Sequence, residues 1–294
     1  MNQQYGVLVK RAATAAMIVA SILLVTKVLA WWQTGSVALL ASLVDSLLDL
    51  AASFTSFLIL SYSLQPADHE HSFGHGKAES LAALAQSTFI AGSAFFLVLS
   101  GIERFLHPQE LVQPELGIWV SLFAIVLTGI LVIYQKRVVK QTGSPAIAAD
   151  SLHYQSDLLM NGAIMLALVL SSLGWPIADV IFGIGIGFFI LYGAGKIGYE
   201  AVQSLLDRQL PEEELQQIEQ IALTVDMVKG VHQLRTRRAG AVRFIQLHLE
   251  LDDQLLLIDA HRIADNVEAK LLTHFPHSDV LIHQDPVSLV RGKS

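Results

Sequence analysis

The sequence predicts an all-α bundle of six transmembrane helices followed by a C-terminal α+β domain. Only 15% of the 294 residues are charged, against roughly a quarter in an ordinary soluble domain, and the mean hydropathy is +0.51. Six separate apolar stretches each reach the roughly 20 residues needed to cross a hydrocarbon core about 30 Å thick. Acidic residues gather at one end, with 13 of the 26 lying from Gln209 onward, so two regions with different solvents are expected.

The stretches run from Ala12 to Trp32, Val37 to Tyr62, Ser80 to Ile102, Leu116 to Gln135, Ala146 to Ser171 and Ile177 to Tyr199. Helices are the expected form, because backbone amides cannot be left unpaired in lipid. The first stretch follows Lys10 and Arg11 without a small-residue cleavage pattern, so it reads as a retained span. An even number of spans places both termini on one side. Lys10, Arg11, Lys77, Lys136, Arg137, Lys140, Lys196 and Arg208 fall on that side, whereas the opposite loops offer little beyond Arg104, which makes both termini cytoplasmic. Trp31, Trp32 and Trp175 fit an aromatic belt at the outer face. The expected division is a transmembrane domain over 1–208 and a soluble domain over 209–294.

In the soluble part, Pro211 followed by Glu212, Glu213 and Glu214 starts a helix, since proline suits the first turn and carboxylates favour the positive end of the dipole. Alternation over Val242 to Leu251 predicts a strand. The full expectation is helix 211–225, strands 231–237 and 242–251, helix 258–274 and strand 279–284.

Polar residues inside the spans carry the chemistry. Asp45 and Asp49 lie four apart in the second span, and His153 and Asp157 four apart in the fifth, so each pair stacks on one helix face. A charged side chain at mid-bilayer costs about 2.5–3.5 kcal/mol even on the lenient insertion scale. Three carboxylates therefore need a compensating charge or a water-filled cavity. A divalent cation supplies the charge, and one imidazole with three carboxylates suits a tetrahedral ion such as Zn²⁺. The bland alternatives are interhelical hydrogen bonding or a proton relay without metal. Lys27 and Asp179 lie near span ends, where snorkelling to the interface accounts for them.

The loop after the second span places Asp68, His71 and His75 close together between Pro66 and Glu79, either as a three-ligand site or as a solvated polar turn. The tail holds six of the eleven histidines: His232, His248, His261, His274, His277 and His283. His283 and Asp285 share a strand face, because alternate residues point the same way. The absence of cysteine removes thiolate ligands and disfavours copper(I). No basic tract interleaved with aromatics argues for nucleic acid, and no HExxH sequence argues for a metalloprotease. A cation channel and a metal sensor are the remaining rivals. A tight four-ligand site suits a carrier better than a pore, and a sensor would not need the intramembrane tetrad.

Asp45-Ser-Leu-Leu-Asp49, His71-Ser-Phe-Gly-His-Gly-Lys-Ala-Glu79, Asp150-Ser-Leu-His-Tyr-Gln-Ser-Asp157 and His283-Gln-Asp-Pro286 together resemble the cation diffusion facilitator family, in its bacterial zinc/proton antiporter and ferrous-iron efflux branch. The resemblance spans essentially the whole chain. It implies a homodimer in the bacterial inner membrane that exports Zn²⁺, with Cd²⁺ and Fe²⁺ or Mn²⁺ also carried because Asp rather than His stands at 45. Protons would be the counter-ion. It implies a transport site of Asp45, Asp49, His153 and Asp157, and a loop site of Asp68, His71 and His75. A cytoplasmic two-metal site of His232, His248, His261, His283 and Asp285 is also implied, with Asp285 bridging. The tail would be a metallochaperone-like, ferredoxin-like α+β domain. Lys77 and Asp207 match a charged interlock, and Leu152 an apolar gate.

Overall fold

The computed structural model describes residues 3–34, 37–106, 115–172 and 178–291. Trp175 and the expected start of the last span at Ile177 fall outside these, as do the side chains of Arg104 and Asp179. The chain divides into two compact units, residues 3–202 and the region from Gln203 onward.

The first unit is built from α1 (Gln3–Thr34), α2 (Val37–Ser63), α3 (Lys77–Leu106), α4 (Glu115–Thr142), α5 (Pro145–Ser172) and α6 (Ala178–Leu205). A helix of 28 residues is about 42 Å long, longer than the hydrocarbon alone requires. Among the described residues five of the helices are long and apolar enough to cross a membrane. The sixth, α5, carries Asp150, His153, Gln155, Asp157 and Asn161. Large apolar side chains such as Phe95, Phe96, Trp119, Phe188 and Tyr192 face outward, a surface that a water-soluble monomer rarely shows.

Several helices run beyond the apolar stretch because their polar ends are tied into the bundle. α1 starts nine residues before Ala12, and Val9 there is fully buried. Tyr5 Oη donates to Glu79 Oε2 at 2.7 Å, and Ser144 Oγ donates to the other oxygen of Glu79. Ser144 also caps α5 by accepting from the Ile147 amide at 3.2 Å, with Pro145 in the first turn. Small residues set the close approaches. A Cβ on Gly187 would stand 2.5 Å from Val98 Cγ2, and one on Gly101 would stand 2.7 Å from Ile184 Cγ1, so α3 and α6 meet through glycine.

The second unit contains α7 (Glu212–Leu223), β1 (Gly230–Ala239), β2 (Val242–Leu251), α8 (Leu257–His274), β3 (Ser278–Pro286) and the short α9 (Val287–Arg291). All but α9 were expected, and their limits fall within two residues of expectation at every end. The sheet order is β1-β2-β3, with β1 and β2 antiparallel and β2 and β3 parallel. Gly240, at φ +58°, opens the two-residue turn from Ala239 to Val242. The parallel step needs a crossover, which α8 supplies. Ile245, Leu247, Leu249 and Leu251 point to one face of β2 and pack with Ile218 of α7 and Val267 and Leu271 of α8. The other face, carrying Gln246, His248 and Glu250, is left for chemistry.

Candidate metal centres

In the helical unit, α2 and α5 converge on a cavity of about 230 Å³ lined by Asp45, Asp49, His153 and Asp157 together with apolar residues such as Ile90 and Ile190. His153 Nε2 lies 3.1 Å from Asp49 Oδ1 and 4.0 Å from Asp157 Oδ2. Donors around a tetrahedral ion with bonds of about 2.1 Å stand about 3.4 Å apart, and these two separations bracket that value. His153 is 9% exposed, and its Nε2 is buried without an aligned hydrogen-bond partner. A buried polar atom of that kind calls for an explanation, and a coordinated ion is one. The ligand atoms of Asp49, His153 and Asp157 lie within 4.8 Å of one another. Asp45 lines the same cavity one turn along α2 but stands outside that group of three.

Neighbouring residues hold the helices in register, and sequence reasoning gave them no role. Tyr154 is bonded to Ser53 Oγ at 2.7 Å and donates to the Ala16 carbonyl at 3.3 Å, tying α5 to α2 and α1. Asp150, 2% exposed, accepts from Gln86 Nε2 at 3.2 Å and from Gln135 Nε2 at 2.6 Å, on α3 and α4. Glutamines inside apolar spans were the available signal for this cluster. Leu152 is buried with Ile90, Ala94, Ile190 and Ala194, and a Cβ on Gly193 would approach its Cδ1 to 3.0 Å. Lys27 does not reach for the interface. Its Nζ donates to Ser46 Oγ at 2.6 Å and to the Ser42 carbonyl at 3.1 Å, both on α2.

The loop residues also come together. His75 Nε2 lies 3.3 Å from Asp68 Oδ2, and His71 Nδ1 lies 3.6 Å from Asp68 Oδ1. His75 Nδ1 faces the Pro66 carbonyl at 3.2 Å, a contact that leaves Nε2 as the free ligand nitrogen when Nδ1 carries the proton. The His71 amide at 2.7 Å holds the Asp68 carboxyl below the usual carboxylate range. Gly74, at φ +78°, lets the loop fold back.

In the second unit the strand register aligns His232 with His248 and His248 with His283, forming one row across the sheet. Asp285 sits at the centre of the polar cluster. Its Oδ2 accepts from His248 Nδ1 at 2.7 Å and lies 3.3 Å from His232 Nε2, while its Oδ1 lies 3.3 Å from His283 Nε2. Partial burial pushes the Asp285 carboxyl up, but the His248 bond and the three imidazoles outweigh it and leave it below its ordinary value. Glu250, 8% exposed, approaches His232 Nδ1 at 3.6 Å, a neighbour that the sequence reading missed although strand alternation placed it beside His248. A bulge after His232, with Gln233 at φ +50°, marks where β1 leaves regular pairing. His261 is not brought into this group. It is exposed on α8 and faces Asp265 at 3.6 Å. Asp207 lies 3.4 Å from Arg237 Nη1 within this unit, and Lys77 opens α3 in the other.

Six long helices, an intramembrane group of imidazole and carboxylates, and a separate α+β unit with a histidine row define a multi-pass membrane protein with metal-type donor sets. Residues 13–206 match the family described as the cation efflux transmembrane domain, and residues 210–287 match the cytoplasmic domain of cation efflux proteins. The cation-efflux pump FieF of Shigella boydii is 59% identical over 290 residues, covering 99% of this chain and 97% of that protein, and the FieF of Citrobacter koseri has the same identity and coverage. Among solved structures, the metal-bound C-terminal domain of the CzcD transporter from Thermotoga maritima is 27% identical, covering 26% of this chain and 95% of that one at a TM-score of 0.25. The chain belongs to the cation efflux family, the cation diffusion facilitators.

Proposed function

We propose that this protein exports divalent transition-metal ions from the cytoplasm in exchange for protons, with Zn²⁺ the principal cargo and Cd²⁺ and Fe²⁺ also carried. The observation that carries the reading is the buried Nε2 of His153, without an aligned hydrogen bond and held 3.1 Å from Asp49 and 4.0 Å from Asp157 in a cavity between membrane helices. Family membership and the FieF relatives, which are named cation-efflux pumps, support the export of cations. Asp45, Asp49, His153 and Asp157 form the transport site. It opens alternately to the cytoplasm and to the far side, with Leu152 closing the cytoplasmic approach.

Binding needs neutral imidazole and ionised carboxylates, so an entering metal displaces protons and entering protons weaken metal affinity. That competition is the exchange. Residues 1–208 form the transmembrane domain of a homodimer in the bacterial inner membrane, with both termini cytoplasmic, and residues 209–294 form the cytoplasmic metal-binding domain. There His232, His248, His283 and Asp285 hold metal, while His261, exposed on α8, stands outside the group. The loop group of Asp68, His71 and His75 binds a further ion.

The test is Zn²⁺ flux into proteoliposomes with and without an imposed proton gradient, beside Asp49→Ala. Gradient-dependent flux that is lost in Asp49→Ala supports the reading. Flux indifferent to the gradient points to a channel or uniporter, and no flux at all points to a sensor.

A further inference from the structure

The Lys27 ammonium is bonded into α2 near the cavity. Its two acceptors, Ser46 Oγ and the Ser42 carbonyl, belong to the helix face that also bears Asp45 and Asp49. Ser46 is 3% exposed, so this contact is buried within the bundle. An ammonium has three donors, and two are used here. Among the described residues the third meets no acceptor, and no carboxylate lies within ion-pair distance of it.

A lysine bonded inside the bundle against α2 calls for a reason beyond packing. Charge explains it. Asp45, Asp49 and Asp157 bring three negative charges to the cavity, and a divalent ion with neutral His153 leaves one of them uncompensated. Lys27 removes that remainder. The same positive charge repels the bound ion, which weakens a site that must release its cargo in every cycle.

We propose that Lys27 is a resident cation beside the transport cavity, parked on Ser46 and Ser42, that neutralises the metal-loaded site and lowers its affinity enough for the ion to leave. Lys27 is thus a specificity-determining and positioning residue that favours divalent cargo and contributes no ligand. The inference rests on the reading of Asp49, His153 and Asp157 as the transport site.

The experiment is the initial rate of Zn²⁺ transport by the full chain in proteoliposomes, measured against Zn²⁺ concentration for wild type, Lys27→Gln, Lys27→Arg, Ser46→Ala and Asp49→Ala. Lys27→Gln keeps a hydrogen-bonding side chain and removes the charge. It is expected to lower KM on the order of tenfold, because a repulsive charge is lost at close range, and to lower kcat as release slows. Lys27→Arg restores both towards wild type. Ser46→Ala frees the ammonium to compete for the carboxylates and raises KM, which keeps the test informative where a Lys27 variant fails to fold. Wild-type values for Lys27→Gln, or equal changes in Lys27→Gln and Lys27→Arg, overturn the inference and leave a packing role. Transport that survives Asp49→Ala overturns instead the reading of the site itself.

Discussion

Gln135 on α4 donates its side-chain amide to Asp150 on α5 at 2.6 Å, and both side chains are almost wholly buried. The bond sits one helical turn before His153, so it holds the ligand-bearing helix against its neighbour. Gln135→Leu would leave Asp150 with Gln86 as its single partner. Losing one bond to a buried acceptor costs about 1–3 kcal/mol. The expected outcome is a lower thermal midpoint in detergent, with Gln86→Leu behaving similarly. An unchanged midpoint in both variants would show that Asp150 finds other partners.

Asp49 and Asp45 are expected to differ although they share a helix face. Asp49 belongs to the group whose ligand atoms lie within 4.8 Å of one another, and Asp45 does not. Asp49→Asn should abolish Zn²⁺ transport, whereas Asp45→Asn should retain measurable flux at raised metal concentration. Equal loss in both would place Asp45 in direct coordination when the ion is bound.

Gly187→Ala should be poorly tolerated, because its Cβ would stand 2.5 Å from Val98 Cγ2 and 3.3 Å from the Ala94 carbonyl oxygen. Overpacking of this kind costs roughly 1–3 kcal/mol. Gly92, on the same bundle, has nothing within 4 Å of its Cβ position, and Gly92→Ala should be neutral or stabilising by about 0.5–1 kcal/mol. Thermal unfolding of the two variants side by side reads the difference.

In the cytoplasmic domain the depressed carboxyl of Asp285 links stability to pH. A carboxylate held below its unfolded value contributes stability that is present above the ordinary range near ~3.9 and is lost as pH falls through its folded value. With metal chelated, the gap in thermal midpoint between wild type and Asp285→Asn should therefore narrow as pH falls below about 4. A gap that does not close there would contradict the depressed carboxyl.

The helices and strands were legible because their signals are local. Twenty-residue apolar runs and the alternation of Val242 to Leu251 depend on the solvent each segment meets, and the six helices α1 to α6 and the strands β1 to β3 stand where those patterns put them. The donor pairs were legible for the same reason, since spacing of four fixes a helix face. What could not be read was anything set by a partner far along the chain. Tyr5 with Glu79, Gln135 with Asp150, and Lys27 with Ser46 are cross-helix choices that no local pattern encodes. Lys27 shows this most clearly, because sequence position alone suggested snorkelling and the structure turns it onto α2. His261 shows the converse, a resemblance-based ligand that a single chain leaves on the open face of α8.

The most direct test of metal/proton exchange at the His153 cavity is simultaneous recording of Zn²⁺ entry and proton movement, with lumenal dyes for each, in proteoliposomes carrying wild type or Asp49→Ala. Exchange predicts that the two fluxes appear together in opposite directions in wild type and vanish together in Asp49→Ala. Zn²⁺ entry without proton movement, or coupled flux that persists in Asp49→Ala, would contradict it.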